Sequence, residues 1–398
     1  MFSSRTNWNL LPNRLTELLE QKRSHNEEII DLTESNPTRC GFQYDSKALL
    51  DSLFFTNSPQ YNPEPKGLLS ARESICRHYA TKNVHLDPGQ IVLTASTSEA
   101  YSFLFKLLCN AGDSVLIPRP GYPLFEYLCT LNDVHAIPYR LQYDGEWHVD
   151  LDSLRGHISG NSRAVVLVHP NNPTGSYIKI NEEKEVVDIA RRRELSIIAD
   201  EVFSEYDLGL AGERVGTFAA QRPVLTFTLD GISKLLGLPQ MKLAWIVVSG
   251  PDDLQRQALA RLELIADTYL SVHSAVQRSL PELFRLQASI AQQIQRRLVA
   301  NLEILRSAIG PASGISLLRC EGGWNAVLRM PAIRTDEQWC EHFLESFNIL
   351  LHPGHFYSME AENCVVFSLL VDSGIFSRAI SHLIRSVANE ATSMTSQF

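Results

Sequence analysis

Apolar residues between about positions 90 and 250 form short runs that alternate with stretches of helical pattern. Short β-rich runs separated by helices are typical of a mainly parallel sheet with helices packed on its faces. The predicted strands are Ile91–Thr94, Ser114–Pro118, Ala164–Val168, Ser196–Ala199, Val224–Thr228 and Leu243–Val248, and one of the helices between them is Glu182–Arg193. The pattern therefore predicts a large α/β domain built on a mostly parallel sheet.

The pattern changes after Pro251. A long helical stretch covers 271–309, and we expect it to be broken or kinked near Pro281, because proline removes a backbone donor. Two β-like runs, Ile315–Leu318 and Trp324–Arg329, then mix with helices near 335–347 and 373–389. This mixture predicts a smaller α+β domain. The expected division is an N-terminal segment 1–45 that joins the small domain, a large domain 46–275 and a small C-terminal domain 276–398.

Composition narrows the class of protein. The 398 residues are 44% hydrophobic and 20% charged, which is ordinary for a globular chain. The longest apolar run has six residues, too few to span a bilayer, and the first residues lack a signal-peptide pattern, so we expect a cytoplasmic protein. A net charge of −9 argues against nucleic-acid partners. Seven scattered cysteines and twelve histidines show no metal-ligand spacing, which predicts free thiols and no metal site.

Chemistry-bearing residues follow the predicted strands, and ligands of open α/β sheets bind beyond the carboxyl ends of strands. After the first strand, Ser96, Thr97 and Ser98 begin a helix whose N-terminus can bind an anion such as phosphate, although an ordinary helix cap is the simpler alternative. Tyr122 lies in a proline-rich turn after the second strand. An anion site beside an aromatic ring is therefore one expectation for this edge.

Three further residues follow later strands. Asn172 lies in a turn, Asp200 ends a buried strand, and Lys234 comes after the next strand. Each has an ordinary alternative, namely a turn amide, a helix cap and a solvated lysine. However, their separations of 28 and 34 residues each match one strand–helix–strand step, which puts all three at one edge. Phosphate donors, a flat ring, an amide, a carboxylate and an amine together form the set that pyridoxal phosphate needs.

At this point the chain resembles the fold-type-I pyridoxal-phosphate enzymes, specifically the class I/II aminotransferase family. The resemblance covers nearly the whole chain. It rests on the ordered motifs Tyr61-Asn62-Pro63-Glu64-Pro65-Lys66-Gly67, Asn172-Pro173-Thr174-Gly175, Asp200-Glu201, Ser233-Lys234, Gly237-Leu238-Pro239-Gln240-Met241-Lys242 and His352-Pro353-Gly354.

The resemblance implies a role for each matching residue. Lys234 would form the Schiff base with pyridoxal 5'-phosphate and carry the proton, and Asp200 would pair with the pyridine nitrogen. Asn172 would bond the phenolic oxygen, and Tyr122 would stack on the ring. The expected phosphate ligands are Ser96, Thr97, Ser98, Ser233 and Lys242. Tyr61 resembles the tyrosine that reaches the phosphate of the neighbouring subunit, which implies a homodimer with shared active sites.

Four positions depart from the family pattern. Phe203 replaces a tyrosine, Gly231 replaces a serine or threonine, and Lys242 replaces the phosphate arginine. Val366 stands where the family has the arginine that binds the substrate α-carboxylate. Arg39 is the nearest candidate for a substitute, because its segment lines the substrate side in the family. The departure at Val366 leaves the substrate open.

The resemblance implies an aminotransferase that works by two half-reactions, with an amine or amino-acid donor and a keto-acid acceptor. An alternative is a decarboxylase, lyase or cyclase of the same fold, since the departures at Phe203 and Val366 alter substrate recognition. A regulatory binding module is a third possibility. It is less expected, because the family's regulators carry an additional DNA-binding domain and only about 60 residues precede Tyr61.

Overall fold

A mixed sheet of eight strands forms the centre of the computed structural model, which describes residues 1–54, 61–209, 212–310 and 314–395. The strands are β1 Ile30–Asp31, β2 Ile91–Thr94, β3 Ser114–Arg119, β4 His135–Tyr143, β5 Trp147–Val149, β6 Ser162–Val168, β7 Ser196–Asp200, β8 Thr226–Gly231, β9 Ala244–Ser249, β10 Ser316–Leu317, β11 Asn325–Arg329, β12 Ile349–Leu350, β13 His352–Pro353 and β14 Cys364–Ser368. The large sheet has the order β2-β9-β8-β7-β6-β3-β4-β5.

Helices cover the sheets. They are α1 Arg14–Ser24, α2 Ser46–Phe54, α3 Leu69–Thr81, α4 Thr97–Leu108, α5 Phe125–Leu131, α6 Leu151–His157, α7 Ile180–Arg192, α8 Ile232–Leu235, α9 Asp252–Tyr269, α10 Ser274–Ala308, α11 Asp336–Phe347 and α12 Ser373–Thr395. The neighbours β4, β3, β6, β7 and β8 pair in parallel, whereas β9 is antiparallel to both β2 and β8. The predicted fold class, a mostly parallel sheet wrapped by helices with a smaller α+β part, is confirmed.

Strand β6 shows why this sheet is covered on both faces. Val165 and Leu167 pack in one core cluster with residues of α7, while Val166 and Val168 pack in another with residues of α4 and α9. A strand buried on both faces needs a continuous apolar run, and this is the feature that the sequence pattern detects. The sequence pattern does not predict β4 and β5, because β4 lies next to the edge strand β5 and the first four of its positions are exposed or half-buried, so it has no continuous apolar run.

The smaller sheet has the order β10-β11-β14-β13 and is antiparallel. The N-terminal segment reaches this part of the molecule, since β1 pairs in parallel with β12 and α1 packs against α11. Helix α10 contributes to two core clusters, with Leu280 in one and Leu298 in the other. The predicted boundary between the large domain and the small C-terminal domain, at 275/276, stays a prediction.

Of the two expectations for Pro281, the break is wrong, and the kink stays a prediction. Helix α10 runs without interruption from Ser274 to Ala308, with Pro281 inside it. The flanking residues Leu280 and Leu283 are fully buried against α3, so packing outweighs the lost backbone hydrogen bond.

Two simpler expectations concern cysteines and membranes. All seven cysteines lie in the described residues as free thiols, and burial raises the pKa of Cys40 and Cys129 to about 12. Along 1–54, 61–209, 212–310 and 314–395, no helix has the length and apolarity needed to cross a bilayer. The cytoplasmic location stays a prediction.

Candidate active site

A cavity of about 530 Å³ opens at the carboxyl ends of β6, β7 and β8, between the large sheet and the C-terminal part of the chain. Nine of the residues singled out in the sequence line it: Ser96, Thr97, Ser98, Tyr122, Asn172, Asp200, Ser233, Lys234 and Lys242. The structure therefore brings the hydroxyls, ring, amide, carboxylate and amines to one place.

Asp200 is the buried carboxylate of this cavity. It ends β7 and keeps 7% of its surface exposed. The Val202 backbone N–H donates to one of its oxygens over 3.2 Å, and the Tyr101 hydroxyl donates to the other over 3.1 Å. Burial raises the pKa of Asp200 to about 6, while the two hydrogen bonds and Lys234 oppose that rise. A cationic group of a ligand would stabilise its charged form.

Lys234 lies in the one-turn helix α8, directly after β8. Its Nζ is 5.0 Å from the ring centre of Trp324 and 5.7 Å from that of Phe203. Burial lowers the pKa of Lys234, and Asp200 acts in the opposite direction. The Tyr206 hydroxyl donates to the Lys234 carbonyl over 2.6 Å, which fixes the backbone of this turn. The amine is therefore placed where a larger fraction is neutral and nucleophilic.

The hydroxyl-rich end of the cavity is the N-terminus of α4. Ser96 is the N-cap, and its hydroxyl accepts from the Glu99 backbone N–H over 3.1 Å. Thr97 and Ser98 begin the helix, where backbone N–H groups lack helical partners and attract anions. Ser233 and Lys242 face the same cavity. This end can hold a phosphate, with one lysine supplying positive charge.

Two side chains frame the middle of the cavity. Tyr122 hydrogen-bonds with Ser98 and packs edge-on against Phe125, with ring centres 5.6 Å apart. Across the cavity, the Asn172 Oδ1 accepts from the Asn325 amide over 2.7 Å. This contact holds the Asn172 side chain in one orientation, and it ties the large sheet to β11.

Three departures from the family pattern have local explanations. A Cβ at Gly231 would lie 2.8 Å from the Cβ of Ala244 on β9, so the close approach of the strands excludes a side chain. Phe203 packs edge-on against Trp324, with ring centres 5.4 Å apart, and it has no group to donate. Val366 is fully buried and does not line the cavity.

Two sequence-predicted residues lie outside the cavity. The Arg39 side chain is 73% exposed, with its guanidinium 3.7 Å from Glu34. Tyr61 is 71% exposed and lines a different surface pocket with residues 270–273 of the loop before α10 and Ser274 at the start of that helix. The chain alone therefore does not place either residue at the site, and both roles stay predictions.

Sequence reasoning missed three residues of this site. Tyr101 on α4 binds Asp200, Asn325 on β11 binds Asn172, and Trp324 packs over Lys234. Tyr101 lies four residues after Thr97, one helical turn further along, so it could have been placed on the same face of α4. Trp324 and Asn325 carry no such signal, because their partners are more than 80 residues away in sequence.

Comparison with known proteins gives the chain's relatives. The profile of the family "Aminotransferase class I and II" matches residues 47–373. The glutamate-pyruvate aminotransferase of Haemophilus influenzae is 30% identical over 256 residues, which is 64% of this chain and 63% of that protein. The Escherichia coli enzyme of the same name is 28% identical over 348 residues, 85% of each chain.

Solved structures agree on the fold. An aminotransferase from Escherichia coli superposes with a TM-score of 0.84 at 24% identity, covering 98% of both chains. The alanine aminotransferase of Pyrococcus furiosus superposes with a TM-score of 0.87 at 18% identity, covering 98% of this chain and all of that one (100%). At these identities the likeness shows a shared fold.

Proposed function

The chain belongs to the class I and II aminotransferase family and is an enzyme of that family, and we propose that it uses pyridoxal 5'-phosphate held at Lys234 and Asp200. The observation that carries this proposal is the meeting of the two residues in one buried cavity. They follow the adjacent parallel strands β7 and β8, and each affects the pKa of the other. A structural ion pair would not need the surrounding hydroxyls and open volume.

The donor set fits the cofactor from end to end. The start of α4, with Ser233 and Lys242, offers hydroxyls, N–H groups and a cation for a phosphate. Asp200 offers a carboxylate for a protonated ring nitrogen, and burial raises its pKa although Lys234 acts in the opposite direction. The Asn172 amide, with its oxygen engaged by Asn325, leaves its N–H groups to donate to an oxygen of a ligand.

Pyridoxal phosphate, when bound, supplies an aldehyde carbon that accepts amino groups and a ring that stabilises negative charge. Lys234 would attach the cofactor and hold the proton that moves during transfer, since its lowered pKa makes it a competent base. Asp200 would remain charged beside the ring nitrogen, supported by Tyr101. Phe203 and Trp324 would cover the Lys234 amine on one side, because their ring centres lie 5.7 and 5.0 Å from Nζ.

We propose an amino acid or amine as the donor and a keto acid as the acceptor. Relatives named glutamate-pyruvate and alanine aminotransferases support this reaction type. The comparisons do not favour the decarboxylase, lyase or cyclase alternative.

We also propose a homodimer in which Tyr61 reaches the phosphate site of the partner subunit. Its exposed ring in a pocket with Ser271 and His273 is consistent with a position that a second subunit covers. Sedimentation of the purified enzyme tests the dimer. Faster loss of cofactor from Tyr61→Phe would support the shared site, and a stable monomer that retains its cofactor would contradict it.

The function is tested by mixing the loaded enzyme with single amino acids and amines and following the absorbance of the cofactor. Conversion to pyridoxamine phosphate with release of a keto acid or aldehyde supports transamination. Release of carbon dioxide, ammonia or a cyclic product, with the aldehyde form retained, would contradict it. Lys234→Ala is the matched control and should show no conversion.

A further inference from the structure

The wall formed by the C-terminal part of the chain lacks an arginine at position 366. Val366 is fully buried, and it belongs to the same apolar cluster as Tyr357 and Met359. No arginine lies among the described residues that line the cavity, and the lysines there are Lys234 and Lys242. Both lysines belong to the cofactor side. A substrate carboxylate therefore needs another donor.

His352 lies next to the missing arginine. In the antiparallel pair of β13 and β14, His352 is directly opposite Val366. Directly opposed residues of antiparallel strands place their side chains on the same face of the sheet. The imidazole of His352 therefore projects from the face from which an arginine at 366 would extend, and unlike Val366 it lines the cavity.

Tyr357 orients this imidazole. The His352 Nδ1 and the Tyr357 hydroxyl are 3.1 Å apart, and both residues line the cavity. Burial lowers the pKa of His352, which favours the neutral ring, and burial raises the pKa of Tyr357 to about 12, which favours the protonated hydroxyl. In the tautomer in which the Tyr357 hydroxyl donates to Nδ1, the ring proton is on Nε2, where a ligand can accept it.

We propose that His352, oriented by Tyr357, donates a hydrogen bond to the α-carboxylate of an amino-acid substrate in place of the arginine. The proposal rests on the proposed aminotransferase function and names a specificity-determining residue of the same site. It also commits to the amino acid, rather than the amine without a carboxylate, as the preferred donor.

A neighbouring cavity offers the competing assignment. It has a volume of about 420 Å³, shares Tyr122, Pro123, His352 and Tyr357 with the active-site cavity, and contains the exposed Arg119. If Arg119 reached the substrate carboxylate across this shared wall, Arg119 would bind the carboxylate, and the His352 imidazole would only fill space in the wall. The experiment below separates the two.

The test compares propionate with propionamide, which have the same size but differ in charge. Their binding to the loaded enzyme is measured by the change in tryptophan fluorescence, because Trp324 lies in the cavity. Wild type should bind propionate about tenfold or more tightly than propionamide, the scale of a hydrogen bond to a charged group. His352→Phe keeps the ring contact with Phe356 at this position. In this variant the ratio of the propionate affinity to the propionamide affinity should fall to near one.

His352→Gln keeps an N–H donor and should retain a ratio of about threefold or more. In turnover, His352→Phe should raise KM for alanine about tenfold and leave kcat within about threefold, because the group binds the carboxylate and not the reacting carbon. Arg119→Ala should leave the ratio unchanged. Two results would overturn the proposal: a folded His352→Phe variant that still prefers propionate as strongly as wild type, or an Arg119→Ala variant that no longer prefers propionate.

Failure of the proposed function gives a different result. Wild-type enzyme would then convert no amino acid, whereas the propionate ratio is measured without turnover. A ratio near one in the wild type overturns the assignment of His352 even when amino acids are converted.

Discussion

The wall of the cavity formed by the large sheet and the wall formed by the C-terminal part are built on different principles. On the large-sheet side, polar groups satisfy one another before any ligand arrives: Tyr101 and Val202 donate to Asp200, and Ser96 caps α4. On the opposite side, Trp324 and Phe367 present apolar surface. The first wall is preorganised for one cofactor, whereas the second leaves the choice of substrate to a few polar groups.

The difference separates what the two walls contribute to catalysis. Preorganised donors and charges lower the barrier for chemistry, because no rearrangement is needed when charge develops. An apolar wall contributes binding energy in proportion to the surface it covers, and it discriminates weakly between substrates of similar shape. Changes on the large-sheet wall should therefore reduce kcat, and changes on the opposite wall should act on KM.

Lys234→Ala is the change with the largest expected effect. Removing the only lysine placed between Asp200 and Trp324 in the described cavity should lower turnover on the order of 10³-fold or more, because attachment and proton transfer are both lost. Borohydride reduction followed by peptide mapping should find the cofactor on Lys234 in wild type and on no lysine in the variant. Lys242→Ala should keep the attachment and release the cofactor faster; a label on another lysine would contradict the assignment.

Asp200→Asn should have the next largest effect. The amide keeps the shape and one acceptor but loses the charge, so the half-reaction with an amino acid should slow about 10²-fold or more. Stopped-flow absorbance of the cofactor measures this rate. Glu201→Gln is the matched control, because Glu201 is also buried but accepts from Thr217 and the Phe218 backbone, and its half-reaction rate should stay within about threefold. Equal losses in both variants would indicate general damage to the strand end.

Sequence alone predicted the large-sheet wall far better than the opposite one. Asp200 ends the buried strand β7 and Lys234 comes three residues after the end of β8, and the topology of a parallel sheet brings such positions together whatever the side chains are. Asn325 and Trp324 reach the site through packing between distant segments, and no local pattern encodes that. The exposure of Arg39 has the same cause, since only the folded chain shows which way its short helical turn faces.

Tyr101→Phe tests whether the hydrogen bond missed in the sequence sets the charge of Asp200. The Tyr101 hydroxyl lowers the pKa of Asp200, which burial alone raises. Without the Tyr101 hydroxyl, the pKa of Asp200 should rise. The charged carboxylate, and with it the activity, is present above this pKa and is lost as the pH falls through it. Activity should therefore begin to decline at a higher pH in the variant. We expect about a tenfold loss on the acid limb of the pH profile of kcat/KM, which should move to higher pH, and a smaller loss at pH 8.

The control for this variant is Tyr139→Phe, which removes an equally buried hydroxyl that donates to the Val166 carbonyl over 2.8 Å. It should lower the melting temperature without moving the acid limb. If the acid limb of the pH profile moves equally in Tyr101→Phe and Tyr139→Phe, then Tyr101 acts through stability alone.

Arg39→Ala should have the smallest effect. It tests whether a cation of the N-terminal segment binds the substrate at the apolar wall. The guanidinium is mostly exposed and pairs with Glu34, and an exposed ion pair contributes about 0–1 kcal/mol to stability. Thr33 and Ser35 of the same segment line the cavity, but Arg39 does not. KM for alanine should therefore change less than about twofold, against the tenfold rise expected for His352→Phe. A tenfold rise in Arg39→Ala, with cofactor binding intact, would mean that the segment turns inward in the assembled enzyme. The carboxylate would then have a charged partner, and the wall opposite the sheet would be preorganised as well.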